Sequence, residues 1–211
     1  TSRSCVRAPS LRHTGKETGP ARGPFLFAGR TRGCAYLATG GGGSYAISGG
    51  ADAAKFSIDA ATGVLSFIAA PDYEAPTDAG ANNVYDVTVR ASDGTNITSK
   101  AVAITVTNVN EAPTITSAAT ASFAENGTGT VYTAAATDPD AGTTLTYSLT
   151  GADASLFNID ATTGVVTFKS APNYETPTDA GANNVYNITV GASDGTVTTS
   201  KAVAVTVTND A

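Results

Sequence analysis

Methionine and tryptophan are absent from the 211 residues, histidine occurs once and cysteine twice. His13, Cys5 and Cys34 all fall within residues 1–40, and one imidazole with two thiols cannot close a structural zinc site from a single chain. A nucleophile activated by histidine is equally hard to build outside that stretch. No apolar run reaches the roughly 18–20 residues needed to cross a bilayer, and no signal-peptide core opens the chain. An export signal is therefore expected upstream, the chain being read as a piece of something longer. Phosphate-binding loops are missing too, since Gly15-Lys16-Glu17 lacks both the preceding glycine spacing and the following hydroxyl. Scarce cysteine does not exclude an extracellular setting, because a domain of about 100 residues with a full core can do without disulfides.

What is present is Gly, Ala, Thr, Val, Asp and Asn, the vocabulary of short strands and polar turns. Charge is unevenly spread. Residues 1–40 hold seven of the twelve Lys and Arg against one acid, Glu17, leaving a strongly acidic remainder. Such a surface repels nucleic acid and favours divalent cations or plain solubility.

The organising feature is a repeat. A shift of 101 positions lays FSIDAATGVLSF, from Phe56, on FNIDATTGVVTF, from Phe157, and the match runs without a gap to Asn108 and Asn209 with 39 of 53 pairs identical. A period near 100 residues is one whole immunoglobulin-sized sandwich. Tyr85, Val87, Val89 and Ala91 alternate with Asp86, Thr88 and Arg90, and Val102, Ile104 and Val106 alternate with Ala103, Thr105 and Thr107. That period of two marks half-buried strands. PTDAGANN, at residues 76–83 and 177–184, reads as a turn before it reads as a ligand set, and Asp59 and Asp160 read as hairpin residues. The expected organisation is a basic Gly/Arg-rich segment over 1–40 (a linker, or a foreign or frameshifted stretch), an incomplete repeat over 41–110 and a second repeat over 111–211. The first is incomplete because the segment starting at Ile115 in the second has no evident upstream counterpart beyond SYAISGGADAAKF near Tyr45.

Several short acidic motifs recur in one order: PDYE with Asp72 and Glu74, PNYE with Asn173 and Glu175, NVNEAP from Asn108 to Pro113, Asp138-Pro139-Asp140, ASDG at Asp93 and Asp194, and Glu125-Asn126. In that order and at one-domain spacing they resemble bacterial cadherin-like domains, over roughly Tyr45 to Ala211. The resemblance implies tandem all-β Greek-key sandwiches of Ig-like, cadherin-like type, with calcium bound between successive repeats by Asp72, Glu74, Asn108, Asn110, Glu111, Asp138, Asp140 and Asp194. Glu125, Asn173, Glu175 and Asn209 map to a possible second site below repeat two. Calcium takes six to eight hard oxygens at about 2.3–2.6 Å, more than one strand supplies. Asn108 stands where the family often has Asp, and repeat one lacks the Glu-Asn motif, so affinities near the weak extracellular end, about 10⁻⁴–10⁻³ M, are expected.

The resulting expectation is a calcium-dependent stalk or adhesive segment of a bacterial surface or secreted, membrane-associated adhesin. Its partners would be calcium, neighbouring repeats and a homophilic partner or surface glycan, with no nucleic acid. It is not read as an enzyme, because Glu74 and Glu175, the carboxylates a glycosidase would use, recur once per repeat. A carbohydrate-binding accessory module and a fibre subunit assembling by strand addition are the competing readings. The Asn-x-Thr sequons at Asn96, Asn126 and Asn187 are read as fortuitous in a bacterial setting.

Overall fold

The computed structural model describes residues 43–210 and the backbone of Tyr36–Leu37; Cys5, His13, Cys34 and the rest of segment 1–40 lie outside the described residues. The chain divides into two compact units after Val109. In the first, β1 (Tyr36–Leu37), β4 (Val64–Phe67) and β3 (Phe56–Ile58) form one antiparallel sheet in the order β1-β4-β3. The other sheet runs β2 (Ser44–Gly49), β5 (Val84–Ser92), β6 (Ile97–Thr105) in that order.

The second unit repeats the plan with more strands. Its short leading strands are β7 (Thr114–Ile115), β8 (Thr120–Ala124), β9 (Thr130–Thr133) and β10 (Ala136–Thr137). They are followed by β11 (Thr146–Thr150), β12 (Phe157–Ile159), β13 (Val165–Phe168), β14 (Val185–Ser193) and β15 (Thr198–Thr208). Sheets form in the orders β11-β14-β15-β8 and β12-β13-β9, with β10-β7 a separate pair. All pairings are antiparallel except β8 on β15. Both units are β-sandwiches, as the alternation requires.

Inward faces carry the apolar residues named from sequence. Tyr85, Val87 and Val89 of β5 and Val102 and Ile104 of β6 are buried with Val106, Phe56 and Leu65. Tyr186, Ile188, Val190, Val203, Val205 and Val207 do the same in unit two with Phe157 and Val166. One aromatic arrangement occurs in each core: Phe56 lies 4.4 Å from Phe67, whose ring meets Tyr85 edge-on at 5.0 Å, and Phe157, Phe168 and Tyr186 repeat this at 4.3 and 5.1 Å. Tilted and edge-on contacts at these separations are the favoured aromatic geometries.

Turns follow their polar residues. Asp160 Oδ1 accepts the N–H groups of Thr162 and Thr163 at 2.9 and 2.8 Å, and Asp59 does the same for Ala61 and Thr62. Gly164 closes its hairpin at φ 71°, and a Cβ there would fall 2.4 Å from the Ala134 carbonyl oxygen. Asp78 and Asp179 each accept three backbone N–H groups from within PTDAGANN, which makes them turn residues as expected.

A two-residue strand falls within segment 1–40, where Tyr36 pairs with Leu65 as Tyr132 pairs with Val166. Two residues are too few to display alternation, so pattern alone could not find it.

Candidate metal centre

The leading end of the second unit gathers acids from three chain segments. Pro113, fully buried, anchors the entry to β7, so the NVNEAP residues before it sit at a defined place. Glu111 N–H donates to Asp140 Oδ2 at 2.8 Å, and Asp140 N–H donates to Asp138 Oδ1 at 2.9 Å. Asn110 Nδ2 donates to Asp194 Oδ2 at 2.8 Å and to the Glu111 carbonyl at 2.9 Å. Asp194 Oδ1 accepts the N–H groups of Thr196 and Val197, each at 2.6 Å. The Val197 N–H first, then the Asn110 amide, hold the Asp194 carboxyl below the ordinary range. Asn110, Glu111, Asp138, Asp140 and Asp194 are therefore linked by hydrogen bonds around one end of the sandwich.

Two oxygens in this group stand out. Glu111 Oε2 and Asp138 Oδ2 are buried and accept no hydrogen bond. A buried, unsatisfied carboxylate oxygen is costly, and natural structures seldom keep one without an ion, a water or a role. Every donor atom here is a hard oxygen, the set that calcium takes and that zinc, with its preference for thiolate and imidazole, does not. The residues present fit a calcium ion.

The first unit holds the remaining expected ligands. Asp72 Oδ1 accepts the N–H groups of Glu74 and Ala75 at 3.0 and 3.3 Å, and Asp72, Glu74 and Asn108 are exposed. The ASDG aspartate of this unit, Asp93, accepts from the backbone and side chain of Asn96 and from Thr95. These bonds, the Asn96 N–H foremost, draw its carboxyl down to about 2.

The second proposed set lies within unit two. Buried Glu125 accepts the Tyr174 N–H at 3.0 Å through Oε2 and the Asp210 N–H at 3.1 Å through Oε1. Its carboxyl is lowered chiefly by the Tyr174 N–H, with burial opposing and the Asp210, Glu175 and Asn126 bonds assisting. Asn209 Nδ2 donates to Glu175 Oε1 at 3.2 Å, whereas Asn173 Oδ1 accepts from Thr176 N–H and Oγ1–H and so closes its own turn.

Sequence reasoning missed the most buried carboxylates. Asp153, 2% exposed, accepts the N–H groups of Ala180 and Asn187 at 2.7 and 2.6 Å, and Asp52 clamps Ala79 and Asp86 identically. The available signal was the GADA tetrapeptide, at Gly50 and again at Gly151.

Comparison with known proteins gives one family match and a set of structures that share the fold. Residues 119–208 match the family model described as the cadherin domain. Protocadherin Fat 4 of Homo sapiens is 32% identical over 158 residues, 70% of this chain but only 3% of that protein. The crystal structure of mouse cadherin-23 EC22-24 superposes with a TM-score of 0.52 and 26% identity, covering 80% of this chain and 53% of its own. That of human protocadherin-24 EC1-2, form II, gives 0.55 at 20% identity, covering 81% and 83%.

Proposed function

Starting from a cadherin-domain match over residues 119–208 and a sandwich fold shared with cadherin ectodomains, we propose that this chain is a calcium-binding extracellular repeat segment. It would stiffen a stalk or adhesive region of a larger surface or secreted protein, and a bacterial adhesin is the setting we favour. The family and its structural neighbours are adhesion modules, not enzymes. Among the described residues no helix is long and apolar enough to cross a membrane.

The observation that carries the calcium reading is the pair of buried acceptors without donors, Glu111 Oε2 and Asp138 Oδ2, beside Asp140 and Asp194. A calcium ion would give those oxygens their missing partner and offset half of the four like charges gathered there. Motif order adds Asp72, Glu74 and Asn108 of the first repeat to the same coordination set. Glu125, Glu175 and Asn209, with Asn173 contributing least because Thr176 already uses its oxygen, form the corresponding set for a following repeat. With calcium bound, linker freedom falls and successive repeats act as a rod; without it, the carboxylates repel and the linker is a hinge. Adhesion would then belong to the array, through a homophilic partner or a surface glycan.

Calorimetric titration tests this directly. Calcium is expected to bind with Kd of about 10⁻⁴–10⁻³ M, and Asp138→Asn to weaken it roughly tenfold. No heat at millimolar calcium, or an unchanged isotherm in the variant, removes the proposal.

A further inference from the structure

In both units the acidic loop runs straight into PTDAGANN, at residues 76–83 and 177–184. In the second unit Asp179 accepts the N–H groups of Gly181, Asn183 and Asn184 at 3.1, 3.1 and 3.0 Å, and Asp153 accepts that of Ala180 at 2.7 Å. Asp78 and Asp52 do the same in the first unit for Gly80, Asn82, Asn83 and Ala79. Four backbone donors thus end on two buried carboxylates in each copy. The turn is strained as well as tied. Ala81 and Ala182 have φ of 48° and 47°, and Asn83 and Asn184 both have 62°. Left-handed alanine persists only where the surroundings over-determine it, and such strain gathers at ligand clamps.

The last residue of the turn reaches back to the acidic loop. Asn83 Nδ2 donates to the Tyr73 carbonyl at 2.9 Å, and Asn184 Nδ2 donates to the Tyr174 carbonyl at 2.9 Å. Tyr73 stands between Asp72 and Glu74, as Tyr174 stands between Asn173 and Glu175. The other half of each amide gains nothing: Asn83 Oδ1 and Asn184 Oδ1 are buried and accept no hydrogen bond among the described residues. An orphaned buried oxygen is costly, and glycine would adopt φ 62° without that cost. Backbone conformation alone does not account for asparagine here; its N–H donor does.

We propose, on the calcium reading above, that Asn83 is a positioning residue for the ion: through the Tyr73 carbonyl it fixes the backbone between Asp72 and Glu74 and so presents both carboxylates pre-ordered. Buried Asp52 and Asp78 hold the turn, the turn aims the amide, and the amide holds the acidic loop. PTDAGANN is then a frame for the ligands beside it rather than a ligand set or a simple turn. Groups that orient metal ligands without touching the metal are the ones whose loss weakens binding while every ligand stays in place.

Calorimetric titration of the full chain with calcium chloride tests this in two variants. Asn83→Gly keeps the positive φ and removes only the amide. Asn184→Gly makes the same cut in the copy that carries neither Asp72 nor Glu74. At the site that Asp138→Asn weakens, Asn83→Gly should raise Kd about tenfold, and Asn184→Gly should leave it within about twofold, with urea midpoints showing that both variants fold. An unchanged Kd in Asn83→Gly overturns the proposal. So does equal weakening in both variants, which would mark a general loosening of the sandwich. If the unchanged chain takes up no calcium, the calcium reading itself falls and the role of Asn83 falls with it. Should Asn83→Gly fail to fold, Asn83→Ala takes its place, since Ala81 shows that this turn accommodates alanine at positive φ.

Discussion

Asp153 shows what a single side chain can fix in this fold. Its two oxygens each take one backbone N–H, from Ala180 and from Asn187, residues 27 and 34 positions away. Asp153→Ala strands both donors, and the expected loss is roughly 2–3 kcal/mol, read as a lower urea midpoint at constant m. Truncating a core residue works differently. Ile188→Ala leaves a cavity beside Val166 and Val205, and should lower stability by about 2–5 kcal/mol in the same assay. A loss within 0.5 kcal/mol for either variant contradicts the packing described here. The two positions also differ in legibility. Ile188 could be assigned to the core because strand alternation is local. Asp153 could not, because its partners lie far along the chain and an isolated Asp beside Gly and Ala reads as a turn.

At the scale of turns and strands, carboxylates that cap backbone N–H groups make the hairpins sensitive to acid. The carboxyls of Asp59 and Asp160 lie below the ordinary aspartate range chiefly through the N–H groups of Thr62 and Thr163, and that of Asp93 falls to about 2. In each case the folded chain binds protons less readily than the unfolded chain. The stability they contribute is therefore complete above the unfolded value and is lost as pH falls through the folded one. The urea midpoint should stay level from about pH 7 to 5 and drop between about pH 4 and 2, with a smaller drop in Asp93→Asn. A midpoint that rises on acidification contradicts the assignment. These hairpins were readable from ATTG-type turns flanked by apolar alternation, as were β5, β6, β14 and β15. β1, with two residues, and β8, whose parallel place on β15 depends on a partner some 80 positions later, carry no comparable local signal.

For the whole molecule the question is what an array of such units does when its acids are neutralised. The sandwich fold followed from the repeat and its alternation. The acidic end of the second unit was legible as a set of motifs, but the buried, donor-less oxygens of Glu111 and Asp138 depend on how three segments pack, which no single motif records. Calcium, if it is the missing partner, links to stability through its preference for the folded state. The most direct measurement is a thermal melt with excess EDTA and with millimolar calcium, repeated for the Asp138→Ala, Asp140→Ala double variant. The account predicts a rise in melting temperature of several degrees with calcium, and loss of that rise in the variant. An identical melt with and without calcium would contradict it and leave a plain β-sandwich whose acids are solvated turns.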